Sequence, residues 1–285
     1  MNKGRISLHV LTKDRWSECG MLLESLRKSN NQNWDLLIVD NASGNPLTNC
    51  YFLINLFNRL KLEGHQVKII RQDLSFGVAH GRQTAIDNDF YDNEYIMRLD
   101  DDVVIEKYYI DKLLEVINKG YDIASGITPP IAHPELVRPN KNIHPIINRI
   151  DLDKDGNIIN YADDCGYAYE KEEILPADNF RSCALIKSEV FKKIKYQENL
   201  SPVGFREEAF LSVRAILNNF TIGVHTGATA YHHLCPSGGC RYPNYPQLVQ
   251  SDHELFVRYL KNNFKFSGDF ISEYHKKVLG EKNEN

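Results

Sequence analysis

The chain has 285 residues, 42% of them apolar and 25% charged, which is the balance of a globular protein with one large domain or two small ones and not of a disordered one. A formal net charge of −4 with no basic run argues against a nucleic-acid partner. Met1–Val10 is too polar for a secretion signal, no apolar run nears the roughly 20 residues of a membrane span, and the six scattered cysteines form no CxxC pair, so a soluble, cytoplasmic protein without a transmembrane segment is expected.

The first half alternates strand and helix signals. Ile6–Thr12 reads as a strand, and Trp16–Arg27 as a helix with Met21, Leu22 and Leu26 at helical spacing. Trp34–Val39 is a buried-strand pattern, followed by a helix over Leu47–Leu62. A third strand, Val67–Ile70, leads to a helix over Val78–Asp87 opened by Phe76-Gly77. The fourth strand, Tyr95–Leu99, precedes a helix over Tyr108–Asn118 and a fifth strand, Tyr121–Ser125. Strands separated by helices of this length predict βαβ units, hence an α/β fold with a mostly parallel central sheet and helices on both faces.

The second half is less regular. The Pro- and His-rich stretch Thr128–Asn148 reads as loop. Asp151–Gly156 resembles the start of a calcium loop, but Ala162 stands at the twelfth position, where a bidentate Glu is needed; a hairpin turning at Lys154-Asp155-Gly156-Asn157 between Ile150 and Ile158-Ile159 is expected instead. A strand over Arg181–Ile186, a short helix over Ser188–Ile194, a helix over Glu207–Asn218, strands at Phe220–Val224 and Ala228–Tyr231, and an amphipathic helix over Gln250–Asn262 complete the reading. The expected division is a ligand-binding half, 1–127, a catalytic and acceptor-side half of the same domain, 128–249, and a helical segment, 250–285.

Asp100-Asp101-Asp102 closes the fourth strand. Three adjacent carboxylates repel one another unless a cation sits among them, and hard divalent ions prefer carboxylate oxygen, usually shared with phosphate. Two further strand ends are polar, Thr12-Lys13-Asp14-Arg15 and Asp40-Asn41-Ala42-Ser43. In parallel sheets ligands bind beyond the carboxyl ends of the strands, so a crevice is expected there.

Over roughly residues 5–233 these segments resemble the GT-A glycosyltransferases, most closely the family-2 type. Leu11-Thr12-Lys13-Asp14-Arg15 is similar to the family's first nucleotide-contacting turn, keeping the Thr and the Arg, and Val39-Asp40-Asn41-Ala42-Ser43 is close to its Val-Asp-Asn-Gly-Ser. The resemblance implies that Asp40 accepts a hydrogen bond from the nucleotide base; the alternative is a helix N-cap. Phe76-Gly77 and Arg82 resemble the segment nearing the nucleotide, where Gly77 would admit close backbone approach and Arg82 would balance phosphate or carboxylate charge, or else lie on a solvated helix face. Leu99-Asp100-Asp101-Asp102 matches the Asp-x-Asp signature, which implies that Asp100 faces ribose or metal, that Asp102 binds Mn²⁺ or Mg²⁺, and that Asp101 is structural or supports them.

Glu207-Glu208-Ala209-Phe210-Leu211-Ser212-Val213-Arg214 resembles the family's Glu-Asp-x-Asp-Leu-Ser-x-Arg. Glu208 thereby takes the place of the general base, with Glu207 as the alternative; Glu replaces Asp there, and Phe210 replaces the second Asp. His232 falls on a family histidine and is a metal or phosphate contact by resemblance, while Arg241, in the Gly-rich stretch after it, is a candidate diphosphate clamp or part of a plain surface turn. Cys235 and Cys240 fit no standard zinc spacing.

The expectation is a metal-dependent, inverting glycosyltransferase that takes a UDP-sugar. Its acceptor would be a glycan, a lipid-linked sugar, a peptide or a small molecule, with peripheral membrane contact left open. A catalytically silent nucleotide- or carbohydrate-binding protein of the same fold is one alternative. A sugar-phosphate nucleotidyltransferase is another, although Leu11-Thr12-Lys13-Asp14 has none of the glycine such a phosphate loop would need.

Overall fold

Leu36–Val39 is apolar throughout because the strand that carries it is covered on both faces. All eight residues of this strand, Trp34–Asn41, are buried, as expected inside a parallel sheet. The computed structural model describes residues 2–132, 137–139, 141, 144–153, 155, 157–263 and 268–280. In chain order the elements of the first half are β1 (Asn2–Thr12), α1 (Trp16–Arg27), β2 (Trp34–Asn41), α2 (Tyr51–Leu62), β3 (Val67–Gln72), α3 (Val78–Asp87), β4 (Asn93–Asp100), β5 (Val103–Ile105), α4 (Tyr109–Asn118) and β6 (Ile123–Ile127). The second half has β7 (Val137–Arg138), β8 (Ile150–Leu152), β9 (Ile158–Tyr161), β10 (Ala168–Tyr169), β11 (Ile174–Pro176), β12 (Ala184–Lys187), α5 (Glu207–Leu217), β13 (Ile222–His232), α6 (Tyr245–Asn263) and α7 (Gly268–Leu279).

The central sheet runs β11-β13-β6-β12-β4-β1-β2-β3. β3, β2, β1 and β4 are mutually parallel, and their register sets Thr12 beside Asp40 and Leu11 beside Asp100. Three polar strand ends therefore finish on one rim, as the strand–helix alternation predicts. β12 then enters antiparallel between β4 and β6. Beyond it, β13 runs parallel to β6 and, at its far end, antiparallel to β5, with His232 opposite Val103. Because β5 follows directly on Asp102, this pairing carries His232 back to the acidic triplet.

Several elements depart from the periodicity. The helix expected from Leu47 is a 3-10 turn, Leu47–Asn49, then α2, because Cys50 between them is extended at φ −88° and ψ 104°. The two strands expected after Phe220 are one, β13, whose register with β6 shifts between Val224 and Thr229. There, the bare glycine at 126 is what lets the strands approach, since a Cβ would lie 2.2 Å from the Ala228 carbonyl oxygen. The β8–β9 hairpin forms as expected, with the Asp153 carboxylate accepting from the Asp155 and Asn157 N–H groups; Lys154 and Gly156 of its turn lie outside the described residues, as do 133–136, 140 and 142–143 of the predicted loop. No helix among the described residues is long and apolar enough to cross a membrane.

The main core joins β1, β2 and β4 to α1, α2 and α4 through Leu8, Leu22, Leu36, Leu56, Met97 and Leu113. A second core lies under β6, β12 and β13 and takes in Tyr274 of α7. A third packs Phe210 of α5 against Phe256 and Leu260 of α6, with the two Phe rings 5.0 Å apart and edge to face.

Asp252 of α6 is buried and accepts from Ser201 N–H at 2.6 Å, Ser201 Oγ–H at 2.8 Å and Phe205 N–H at 2.9 Å. The carboxylate thus ties down the segment that leads into α5. Asp252→Ala strands three donors and is expected to lower unfolding free energy by about 3 kcal/mol in urea denaturation, whereas Asp252→Asn, which keeps one acceptor oxygen, costs less.

Candidate active site

A cleft of about 570 Å³ opens beyond the strand ends. Thr12, Asn41, Arg82 and the three aspartates line one wall, and Tyr161, Arg206, Glu207 and Glu208 line the other, with His232 and Arg241 also on its surface. The sheet supplies the first wall through β1, β2 and β4. The second comes from the β8–β9 hairpin and the first turn of α5.

Each aspartate of the triplet meets an arginine, and Asp101 and Asp102 share theirs. Asp100 Oδ1 meets Arg82 at 2.5 Å and Arg98 at 3.3 Å. Asp101 Oδ1 accepts from Arg15 Nη1 at 2.9 Å, and the same nitrogen lies 3.0 Å from Asp102 Oδ2. His232 Nε2–H donates to Asp102 Oδ1 at 3.2 Å, and the Cys235 N–H donates to its Oδ2 at 3.3 Å. Burial pushes Asp101 up to about 6 against the pull of Arg15. Burial acts on Asp102 in the same sense, but the hydrogen bond and charge of His232, with Arg15, overcome it and hold Asp102 at about 2. His232 responds in kind: burial lowers it, and the bond to Asp102 more than reverses that.

Arg15 has a different setting from the open nucleotide turn its place in the sequence suggests. It is buried, and beyond the two aspartates it donates to the carbonyls of Ser237 and Cys235. The backbone after β13 is thereby strapped over the triplet, and the Gly239 N–H adds a bond to Lys13 O at 2.8 Å. Thr12 places a buried Oγ at the cleft wall beside Asp101.

Two expected nucleotide contacts, Asp40 and Gly77, meet the chain's own groups in this structure. Asp40 is buried outside the cleft lining, and its oxygens accept from the Ser43 and Leu47 N–H groups and from Arg71. It ties down the loop after β2 and is not a helix N-cap, since Pro46 and Cys50 hold the cap positions that follow. Asn41 faces the cleft instead, with a buried Oδ1 that has no partner. Gly77 does sit at a close approach, at φ +102°, but a Cβ there would lie 2.6 Å from Pro202 Cα, so the crowding backbone is the protein's own. Arg82 is buried and balances a carboxylate, as one of its two readings held; besides Asp100 it donates to Leu99 O at 2.7 Å.

The acids of α5 separate clearly. Glu207 is buried, with Oε1 2.8 Å from Arg98 Nη1 and Oε2 unpartnered. Burial pushes its carboxyl up to about 7, opposed by Arg98. The Glu208 side chain is 26% exposed in the cleft and only loosely held, 3.4 Å from Arg98 Nη2. Phe210, standing where the resemblance has a second Asp, points into the third core and takes no part in the cleft. Arg206, just before the pair, has a left-handed backbone at φ +71° and stacks its guanidinium 3.8 Å from the Tyr161 ring centroid. Arg98 and Asn41 were missed in the sequence. The signal for Arg98 was an arginine inside an apolar strand, two residues before Asp100 and so on the same face.

Among the described residues no group of three or more His, Cys, Asp and Glu side chains is arranged to hold a metal ion. Asp102 and His232 are adjacent, and His232 Nδ1 is buried without a partner. Such a pair suits a divalent cation that completes its shell with phosphate oxygens and water, as Mg²⁺-type sites do, and not a closed protein cage. Asp100 fits a ligand role less well, since its Oδ1 already serves two arginines. Arg241 is exposed, with a long 3.4 Å bond to Cys235 O and its guanidinium 5.6 Å from the Tyr245 ring.

The family model described as glycosyl transferase family 2 matches residues 7–195. No curated protein matches the chain. Among solved structures, S. aureus TarS 1-349 in complex with UDP-GlcNAc is similar at a TM-score of 0.61 and 13% identity, over 99% of this chain and 74% of that one. GalNAc-T7 with UDP, GalNAc and Mn²⁺ is similar at a TM-score of 0.65 and 12% identity, over 98% of this chain and 58% of that one. At such identity the likeness concerns the fold, which is GT-A, while the family match spans most of the sequence. The chain therefore belongs to glycosyl transferase family 2 and is a glycosyltransferase of the GT-A fold.

Proposed function

We propose that the chain transfers a sugar from a UDP-sugar to an acceptor hydroxyl, with inversion at the anomeric carbon and with Mn²⁺ or Mg²⁺ as cofactor. The observation that carries this reading is the pairing of walls in one cleft: Asp102 with His232 on one side, and an accessible Glu208 on the other. Structural relatives whose crystals hold UDP-GlcNAc, or UDP, GalNAc and Mn²⁺, support the choice of donor and ion.

In this reading Glu208 accepts the acceptor hydroxyl's proton while the oxygen attacks the anomeric carbon. The bond from that carbon to the diphosphate oxygen breaks, and its electron pair departs with UDP. Asp102 and His232 would hold the cation, which when bound offsets the charge gathering on the diphosphate. Asn41 faces the base in place of Asp40, Thr12 and Asp100 border the donor, and Arg241 closes on the phosphates. Asp101 and Arg15 keep the strand end and the strapped backbone together. One exposed base opposite the leaving group favours single displacement and hence inversion. The acceptor, among glycans, lipid-linked sugars, peptides and small molecules, is met by the wall of Tyr161 and Arg206.

A panel of nucleotide sugars assayed for UDP release, with and without Mn²⁺, tests the reading. Turnover is expected with a UDP-sugar, to vanish in EDTA and to return with Mn²⁺; equal release in EDTA would rule out the metal. Asp102→Ala is expected to lower kcat on the order of 10²–10³-fold. Glu208→Gln should cost on the order of 10²–10⁴-fold in kcat while UDP binding, read by calorimetry with Mn²⁺, stays within about threefold. A Glu208→Gln enzyme of normal kcat would remove it as the base.

Glu207 gives a pH signature. Its folded value, about 7, lies above the ordinary glutamate value of about 4.3. The folded chain keeps a proton that the unfolded chain releases, so this contribution to stability is whole below about pH 4 and is lost as pH rises through 7. Thermal midpoints measured from about pH 5 to pH 8.5 should fall for the wild type and fall less for Glu207→Gln.

A further inference from the structure

Arg98 has no part in the mechanism above, yet it touches both walls of the cleft. Its side chain is 2% exposed and its guanidinium carbon lies 5.7 Å from the Phe180 ring centroid, so the charge is screened from water. Arginine has no accessible neutral form, and the charge must be met by carboxylates. Nη1 lies 2.8 Å from Glu207 Oε1. Nη2 is shared, 3.3 Å from Asp100 Oδ1 and 3.4 Å from Glu208 Oε1, both at the long edge of hydrogen bonding. Asp100 already has a closer partner in Arg82, at 2.5 Å. Glu207 meets the charge without an aligned hydrogen bond, and both Nη1 and Nε lack a hydrogen-bond partner. Arg98 also reaches two further carboxylates, on β4 and on α5.

We propose that Arg98 is a positioning residue that sets Glu208 relative to the donor end of the cleft: Glu207 anchors one arm of its guanidinium, and the other arm is divided between Asp100 and Glu208. The inference rests on reading Glu208 as the base and Asp100 as bordering the donor. When a donor engages Asp100, the shared arm is released to Glu208, so the base is set in place after the donor is bound. Lysine cannot do this, because a single ammonium on a flexible stem cannot hold the anchor and the shared contact in one plane.

The test uses the full chain with Mn²⁺ and the UDP-sugar that the wild type turns over fastest, and reads kcat, UDP affinity by calorimetry and thermal midpoint. Arg98→Lys keeps Glu207 paired and is expected to melt close to the wild type while losing about 10²-fold in kcat, with UDP affinity within about threefold. The double variant Arg98→Met with Glu207→Gln removes both buried charges together. It is expected to fold and to show the same loss of kcat, with UDP affinity again within about threefold. Either Arg98 variant turning over within about threefold of wild type, or UDP affinity falling in step with kcat, overturns the proposal. Glu208→Gln run alongside separates the two ideas: normal turnover there overturns the base assignment, whereas its loss together with an active Arg98→Lys overturns only the role of Arg98.

Discussion

The structure depends on the neutralisation of acids gathered at the end of a parallel sheet. Asp100, Asp101, Asp102, Glu207 and Glu208 face Arg15, Arg82 and Arg98, so five carboxylates meet three guanidinium groups. Removed from water, neither set is tolerable without the other. The arginines come from the residue before α1, from α3 and from β4, and the acids from the end of β4 and from α5. Charge pairing therefore holds these elements in one arrangement. With every group ionised, the acids are in excess of the guanidinium groups by two.

The same interactions link the cleft to parts of the chain far away in sequence. Arg15 reaches the carbonyls of Cys235 and Ser237, and β13 delivers His232 to Asp102. The family match ends at residue 195, before Glu207, Glu208 and His232. The later part of the chain completes the cleft and also braces it. Asp252 and Phe256 of α6 secure the segment before α5 and the inner face of that helix, so the acids at its first turn are held from behind.

Much of this was legible in the residues. A parallel half of the sheet followed from buried apolar runs alternating with helical spacing, and the rim of strand ends followed from that, while the order β3-β2-β1-β4 came only with the fold. The acidic triplet marked the cleft. At the second acidic pair the sequence offered two neighbours with equal chemistry, and burial separates them, Glu207 turned inward and Glu208 left in the cleft. Arg82 was readable as either a surface or a charge-balancing residue, and its bonds to Leu99 O and Asp100 at the end of β4 decide for the second. Asp40 and Gly77 carried conformational signals that were real but are used on the chain's own backbone, at Ser43, Leu47 and Pro202.

What the sequence alone determined is local and periodic: which segments are strands and helices, and which strand ends are acidic. These depend on side-chain spacing and intrinsic conformational preference, both carried by neighbouring residues. What only the tertiary structure decided is partnership: Arg15 with Asp101 and Asp102, Arg98 with Glu207 and Glu208, His232 with Asp102, and Asp252 with the segment before α5. Each of these joins groups separated by 47 to more than 100 residues, or a strand to a helix from another part of the chain. A carboxylate reads the same in sequence whether it binds a ligand, caps a turn or answers a buried arginine. The choice among these is set by desolvation and distance, which exist only once the chain is folded.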